Sequence, residues 1–405
     1  MGNVCCRTEE IDFQRDVELY HFYLMRVIGK GAYGKVRIVQ HKGTHREYAL
    51  KCISKNRCIE LKAANNMISE RRLLERINHP LVVNLRYAFQ DDDNLFMVLD
   101  LMLGGDLRFQ LEQAPEHRLP EERVRFYVAE IALALSYLHR RRIAHRDIKP
   151  DNVLLDQHGH CHLTDFNIAT QFDASRPLRW SKAGSLAYMA PEMLAKCGYS
   201  HSVDWWSLGV LAYELLFGKR PFHGQTGDDL VSAILNDTLT FPDDIEISDD
   251  CIDVIKKLLE RSPMQRLGAG GIEDFKAHPW FAHLDWDALE TKTATAPFIP
   301  STDIPNFDAV HELEELLLEE EPLRYSRRTN MAIDDEDKSE EAEARRLMTA
   351  KFHAYDFTRP RPTDHLFRRL GNQLDQAKYK QQGYQVVSNQ ESQTSSNFAP
   401  SDKSA

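Results

Sequence analysis

The sequence predicts an α+β fold, a β-rich N-terminal part followed by a larger helical part, with a tail running beyond both. Three observations predict it. From Phe22 the apolar residues fall into short strands, at 23–28, 36–40, 48–51 and 94–101. Residues 121–139 then form an amphipathic run at helical spacing, and a further helix is expected from Ser202 through Glu214. Between these helices lies a polar run, His145-Arg146-Asp147-Ile148-Lys149-Pro150-Asp151-Asn152. Its exit, Asn152-Val153-Leu154-Leu155, reads as a buried strand, and a second strand at 160–164 returns the chain to Asp165-Phe166-Asn167.

At 405 residues the chain can bury a large core, and its length suggests two or three structural units. Acidic residues (62) outnumber basic ones (51), for a formal charge of -11, which disfavours nonspecific nucleic-acid binding. The seven cysteines are scattered singly except for Cys5-Cys6, and no C-x-x-C pair occurs, the pattern of a reducing, intracellular environment. No apolar run approaches the length of a membrane-spanning helix, and no secretory signal is present.

The N-terminus offers a membrane connection of another kind. In Met1-Gly2-Asn3-Val4-Cys5-Cys6, Gly2 can take a myristoyl chain once Met1 is removed, and Cys5 and Cys6 are candidates for S-palmitoylation. One acyl chain holds a protein at a bilayer only marginally, whereas two or more make a stable anchor. Cys6 stands where the myristoylation pattern prefers Ser or Thr. The expectation is a cytoplasmic protein held peripherally on the inner face of the plasma membrane.

Next in the chain, Gly29, Gly31 and Gly34 stand at G-x-G-x-x-G spacing between Ile28 and Val36. Alone this pattern is weak. Here it lies between two strands, which fits a β-hairpin lid whose amides approach phosphates and argues against a dinucleotide-binding turn. The central polar run is more specific. Phosphoryl transfer needs a carboxylate beside the attacking hydroxyl, a cation for the transferring group, and oxygen or amide ligands for Mg²⁺. Asp147 can supply the first, Lys149 the second, and Asn152 with Asp165 the third. An H-R-D-x-x-x-x-N run followed by D-F-x is a protein-kinase signature, so the sequence resembles a eukaryotic protein kinase, and its fold is expected to be the bilobal kinase fold.

The resemblance gives roles to residues that spacing alone leaves open. Tyr48-Ala49-Leu50-Lys51 matches the kinase strand whose lysine meets the α- and β-phosphates, and Glu70, on a helix carrying Met67, Leu73 and Leu74, is the expected partner of Lys51. Leu99 takes the gatekeeper position, and Asp100 to Met102 offer backbone groups to adenine. The ATP site is thus expected from Ile28, Gly29, Gly31, Gly34, Val36, Ala49, Lys51, Glu70, Leu99, Asp100, Met102 and Asp106. The cluster His158-Gly159-His160-Cys161-His162 has the look of a metal site, but zinc needs further ligands and none is evident, so an ordinary strand is expected. Asn167 departs from the glycine usual in kinases; asparagine is the next residue most tolerant of positive φ.

The expected activation segment runs from Asp165 to Ala190-Pro191-Glu192. Within it Ser181 is a phosphosite candidate with Arg146 as its basic partner, and Ser185 stands where Ser/Thr kinases carry a threonine facing the catalytic aspartate. Asp204 is expected to brace the catalytic loop, and Arg266 to pair with Glu192. Pro297-Phe298-Ile299-Pro300, then Asn306-Phe307-Asp308, is similar to the C-terminal tail of AGC kinases, in which such a phenylalanine reaches the adenosine. Phe352-His353-Ala354-Tyr355-Asp356-Phe357 is similar to their hydrophobic motif, with Asp356 as a fixed charge in place of a phosphorylated Ser or Thr. Asp165-Phe166-Asn167, the N-terminal glycine and residues 311–318 before Pro322-Leu323 together resemble the YANK subfamily of AGC-type kinases.

The expected layout is an acylated segment at 1–21, a kinase domain at 22–281 with lobes at 22–99 and 103–281, an AGC-type tail at 282–360, and a polar remainder at 361–405 that cannot bury enough surface to fold alone. The acidic stretch 334–343 is expected to be solvated. The resemblance implies transfer of the γ-phosphoryl group of ATP, with Mg²⁺ or Mn²⁺, to Ser or Thr of protein substrates. Asp106, Asp151 and Glu214 match positions where basophilic AGC kinases meet substrate arginines, so basic residues near the target are expected. The rival reading is a membrane-anchored pseudokinase scaffold, supported only by Asn167.

Overall fold

The computed structural model describes residues 11–13, 15–173, 175–301, 306, 323 and 339–359. Gly2, Cys5, Cys6, Phe307, Asp308, residues 311–318 and everything beyond Arg359 lie outside them. The elements below belong to one compact unit that ends at Phe357.

The first strand, β1 (Phe22–Gly31), turns through Ala32-Tyr33 into β2 (Gly34–His41), so the three glycines of the lid sit in and beside one tight hairpin. β3 (Glu47–Ser54) leads to two helices, α1 (Lys55–Glu60) and α2 (Ala64–Leu74), followed by β4 (Leu85–Gln90) and β5 (Asn94–Leu99). These strands form an antiparallel sheet in the order β1-β2-β3-β5-β4. Strand alternation sends Val39, Leu50, Phe96 and Val98 to one face, under Val17, Leu19 and Phe22. Ile53, Ala88, Leu95 and Met97 face the other way, toward Met67 and Ile68 of α2. Both faces are therefore buried. The strand expected at 94–101 ends at Leu99, because Asp100 is drawn to Arg86 at 2.5 and 2.9 Å and the chain leaves the sheet there.

The larger lobe opens with α3 (Leu107–Gln113) and α4 (Glu121–Arg140). Short strands β6 (Ile143–Ala144), β7 (Val153–Leu155), β8 (Cys161–Leu163) and β9 (Thr170–Gln171) carry the functional loops. Then follow α5 (Pro191–Leu194), α6 (Val203–Phe217), α7 (Gly227–Asn236), α8 (Asp249–Leu258), α9 (Ile272–Lys276) and α10 (Trp286–Glu290). Every residue of α6 is buried, as its nearly unbroken apolar sequence demands. It packs against α4 and α8 and ends at Gly218, whose φ of 66° closes the helix in the left-handed region.

Beyond α10 the tail follows the larger lobe. The Arg123 guanidinium lies 3.5 Å from the centroid of the Phe298 ring, and Asn306 Nδ2 donates to the Leu103 carbonyl at 3.0 Å. Gly105 is what lets the tail come so close: its φ is +72°, and a Cβ there would stand 2.2 Å from the Asn306 carbonyl oxygen. The described part of the acidic stretch forms the first turn of α11 (Glu340–Lys351), and its glutamates are exposed to solvent as expected. Ser339 Oγ accepts from Ala342 N at 3.2 Å, and Glu340, Glu341 and Glu343 sit at the positive end of the helix, which suits carboxylates.

β10 (Tyr355–Asp356) then adds to the free edge of β4. Phe352 is fully buried, with Arg71 of α2 over its ring at 5.7 Å, and Gln90 Nε2 donates to the Phe352 carbonyl at 2.6 Å. Phe357 meets Tyr87 edge-on at 5.5 Å and carries Arg86 over its ring at 5.1 Å. The tail thus clamps α2, the helix that bears Glu70. Phe357→Ala is expected to lower kcat/KM roughly fivefold, because about 1 kcal/mol of docking shifts the docked population by that factor. Unchanged kinetics would separate the tail from the site.

Candidate active site

The strongest local organiser is a buried carboxylate. Asp204, at the start of α6, is fully buried; its Oδ2 accepts from His145 N at 2.9 Å and its Oδ1 from Arg146 N at 2.8 Å. Burial by itself would raise this carboxyl, but His139 Nε2 at 2.8 Å and the amides hold it below the usual range. This clamp lets Arg146 adopt a φ of 69° and turns the loop so that Asp147 comes to lie among Lys149, Asn152 and Ser185. His145 Nε2 meets the Thr164 carbonyl at 2.9 Å, tying the loop to the residue before Asp165.

Both oxygens of Asp147 face donors. Oδ2 accepts from Lys149 Nζ at 2.8 Å and from Asn152 Nδ2 at 2.8 Å; Oδ1 accepts from Ser185 N at 3.1 Å and Ser185 Oγ at 2.9 Å. Burial pushes this carboxyl up, yet the Lys149 ammonium and the Ser185 hydroxyl hold it below its ordinary value, so it is ionised at neutral pH. Lys149 Nζ also donates to Ser185 Oγ at 3.1 Å.

The smaller lobe contributes from the opposite side. Lys51 Nζ lies 2.8 Å from Glu70 Oε1 and 3.7 Å from Asp165 Oδ1, so one ammonium joins β3, α2 and the turn after β8. Burial would lower Lys51, but the Glu70 and Asp165 charges raise it well above its ordinary range. Between the lobes lies a cleft of about 520 Å³. Ile28, Gly29, Val36, Ala49, Lys51, Glu70, Leu99, Asp100, Met102 and Asp106 line it, together with Asn152 and Asp165. Gly31 and Gly34 lie at the hairpin end, away from its lining. The Asp100 carboxylate is held by Arg86 and Asn84, which leaves backbone groups as its contribution. Asp106 is also the N-cap of α3, accepting from Phe109 N at 2.7 Å, and burial raises its carboxyl.

Within Asp165-Phe166-Asn167 the positive φ falls on Asp165, at 61°, and Asn167 is not among the positive-φ residues. The Asn167 side chain has another occupation. Its Nδ2 donates to the Tyr33 hydroxyl at the tip of the lid at 3.3 Å, while its Oδ1 is buried without a partner among the described residues. Asn167→Gly is therefore expected to raise the KM for ATP by up to roughly tenfold, the worth of one hydrogen bond, with kcat changed less. A KM equal to wild type would show that the contact does not hold the lid.

The activation segment is held within its length and at its end. Arg146 Nη1 donates to Ser181 Oγ at 3.4 Å and to the Tyr199 hydroxyl at 2.9 Å, and Ser181 is exposed. Arg266 grips Glu192 with two hydrogen bonds of 2.8 and 2.9 Å. The histidine cluster resolves into separate pairs: His160 Nδ1 with Glu130 at 2.6 Å, and His162 Nε2 with Asp156 at 3.1 Å. Among the described residues no group of histidines, cysteines and carboxylates could hold a metal by itself.

Sequence reasoning gave no role to Tyr33, Tyr188 and Arg108, and named Asn306 only within the tail motif. Arg108 donates from Nη1 to Glu214 at 2.9 Å and from Nη2 to the Tyr188 hydroxyl at 3.0 Å and Asp151 at 3.5 Å. Its partners stand 43 to 106 residues away, so no local pattern could reveal them.

Comparison with known proteins agrees with this geometry. Residues 22–281 match the protein kinase domain family. Serine/threonine-protein kinase 32B of Homo sapiens is 41% identical over 338 residues, which cover 81% of this chain and 79% of that protein. Serine/threonine-protein kinase 32C of Homo sapiens is 42% identical over 335 residues, covering 81% and 68%. Protein kinase C of Drosophila melanogaster is 39% identical over 306 residues, covering 74% and 41%.

Proposed function

This chain belongs to the protein kinase family and is a serine/threonine protein kinase, and from that premise we propose how its residues carry out the transfer. The proposal rests chiefly on Lys51, Asn152 and Asp165 lining one cleft while Asn152 is bonded to Asp147. Adenine stacks between Ile28, Val36, Ala49 and Leu99 and bonds the backbone from Asp100 to Met102. Lys51 meets the α- and β-phosphates, and the lid amides around Gly29, Gly31 and Gly34 cover them. Glu70 acts on ATP through Lys51.

The Asp165 carboxylate and the Asn152 carbonyl suit Mg²⁺, a hard ion that takes one or two protein oxygens and completes its shell with phosphate and water. The Asn152 amide nitrogen already donates to Asp147, which leaves its oxygen as the ligand atom. When bound, the ion neutralises phosphate charge, and Mn²⁺ would take the same ligands. Asp147, kept ionised, orients the target hydroxyl and receives its proton, and Lys149 faces the transferring phosphoryl group. Ser185, beside both, favours the aliphatic hydroxyl of Ser or Thr over the longer reach of Tyr.

Substrates are protein segments, and Asp106, Asp151 and Glu214 bear on which residues flank the target. Ser181 is a phosphosite whose phosphate would pair with Arg146. No helix among the described residues is long and apolar enough to cross a membrane, so attachment to the inner face of the plasma membrane rests on acylation of Gly2, Cys5 and Cys6. Mass spectrometry of protein from its native cell should find an acylated Gly2; a retained Met1 would end that reading.

The activity is tested with purified protein, Mg-ATP and a generic protein substrate. Phosphoserine and phosphothreonine should form, and chelation of the metal should stop the reaction. Phosphate released only to water would identify an ATPase and overturn the proposal.

A further inference from the structure

Asp106 and Asp151 line the cleft, and Arg108, which lines it too, bonds both Asp151 and the buried Glu214. Asp151 immediately precedes Asn152, which bonds Asp147; Tyr188 lies three residues beyond Ser185, which also bonds Asp147. An extended peptide advances about 3.3 Å per residue, so a segment with its hydroxyl at Asp147 carries its near neighbours past these groups. A pair of unoccupied carboxylates there would select a cationic side chain. They are not unoccupied. Arg108 Nη1 donates to Glu214 at 2.9 Å, and its Nη2 reaches both the Tyr188 hydroxyl and Asp151, at 3.0 and 3.5 Å. The Glu214 side chain is 8% exposed, so a substrate could reach it only by moving Arg108. Tyr188 donates to the remaining Glu214 oxygen, and Asp106 is committed to the Phe109 amide.

We propose that Arg108 is a built-in occupant of the cation subsite, supplying from within the chain the charge that Asp151 and Glu214 would otherwise take from a protein substrate. The enzyme then has no preference for a basic residue at the position facing Glu214, and it gains one when Arg108 is removed. This rests on the kinase reading of the site and reverses the basic preference expected from the sequence. α3 carries the determinant: Arg108 lies two residues after the capping Asp106, and the Asp106 cap sets where α3 begins.

The test is a peptide series with Arg, Ala or Glu at each position around a single serine. It is assayed as kcat/KM ratios with wild type, Arg108→Ala, Arg108→Gln, Glu214→Gln, and Arg108→Ala combined with Glu214→Gln. Wild type should favour Arg over Ala by less than about threefold at every position. Arg108→Ala should raise that ratio tenfold or more at one position, as expected when one charge-assisted hydrogen bond becomes available to substrate. The double variant should lose the gain. Arg108→Gln, which keeps most of the side-chain volume, should show the same direction if Arg108→Ala proves unstable. A tenfold arginine preference already present in wild type and lost with Glu214→Gln would overturn the inference, as would Arg108 variants that transfer phosphate with unchanged ratios. Wild type that phosphorylates none of the peptides, nor a generic protein, would instead overturn the kinase reading beneath it.

Discussion

Asp147→Asn is expected to lower kcat by about 10²- to 10⁴-fold while leaving the KM for ATP within about threefold of wild type. The shape is nearly conserved; the hydrogen-bonding is not. Every neighbour of the Asp147 carboxylate is a donor: the Lys149 ammonium and Asn152 amide on Oδ2, the Ser185 amide and hydroxyl on Oδ1. An asparagine must turn its own NH₂ toward one of these pairs, whichever way it flips, so the variant loses a bond and gains a donor–donor contact as well as losing its base. On the proposed reading ATP contacts Lys51 and the apolar walls of the cleft, none of which bonds Asp147. Single-turnover rates with saturating Mg-ATP, beside nucleotide binding measured by calorimetry, separate the two effects. Turnover within tenfold of wild type would remove Asp147 from the chemistry, and weak nucleotide binding would point to a collapsed loop.

Much of this site was legible because its residues are close in sequence. His145 to Asn152 and Asp165 to Asn167 fall on two short loops around one hairpin, and their spacing alone proposes the chemistry. The small-lobe strands were legible through period-two burial and the glycines between them. What the sequence could not expose depended on contacts between distant segments. Arg108 finds Asp151, Tyr188 and Glu214 only after α3, the catalytic loop and α6 have packed together. Tyr33 meets Asn167 across 134 residues, a link that no substitution pattern around Asp165 implies. That Asp165 carries the positive φ of its turn was equally hidden, since which residue takes the left-handed conformation is set by where its neighbours are anchored. Glu340, Glu341 and Glu343 are solvated, as their charge suggested, but that they also open a helix rests on the Ser339 cap and on negative charge being stabilising at a helix N-terminus.

Arg266→Ala should be the most damaging substitution away from the cleft. Arg266 is 1% exposed and Glu192 8%, so the pair sits in low-dielectric surroundings. Its guanidinium donates to both Glu192 oxygens, to the Ser202 carbonyl at 3.0 Å and to the Glu260 carbonyl at 2.9 Å. Deleting it strands a buried carboxylate and several carbonyls at once, a change that costs about 3–5 kcal/mol. At about 2–4 °C per kcal/mol for a domain of this order, the Tm should fall by roughly 10 °C. Arg266→Lys should recover only part of the loss, because a point ammonium cannot pair with both carboxylate oxygens in a plane. Removing both partners, as Arg266→Ala with Glu192→Ala, should cost less than the sum of the single changes, since the stranded charge goes with its partner. Glu192 ends the activation segment seven residues after Ser185, so the KM for protein substrate should rise in the surviving Arg266→Ala enzyme while the KM for ATP holds. Calorimetric unfolding of wild type, Arg266→Ala, Arg266→Lys, Glu192→Ala and the double variant decides it: a Tm within 2 °C of wild type for Arg266→Ala would mean that water or a shifted loop takes over the Glu192 carboxylate without loss.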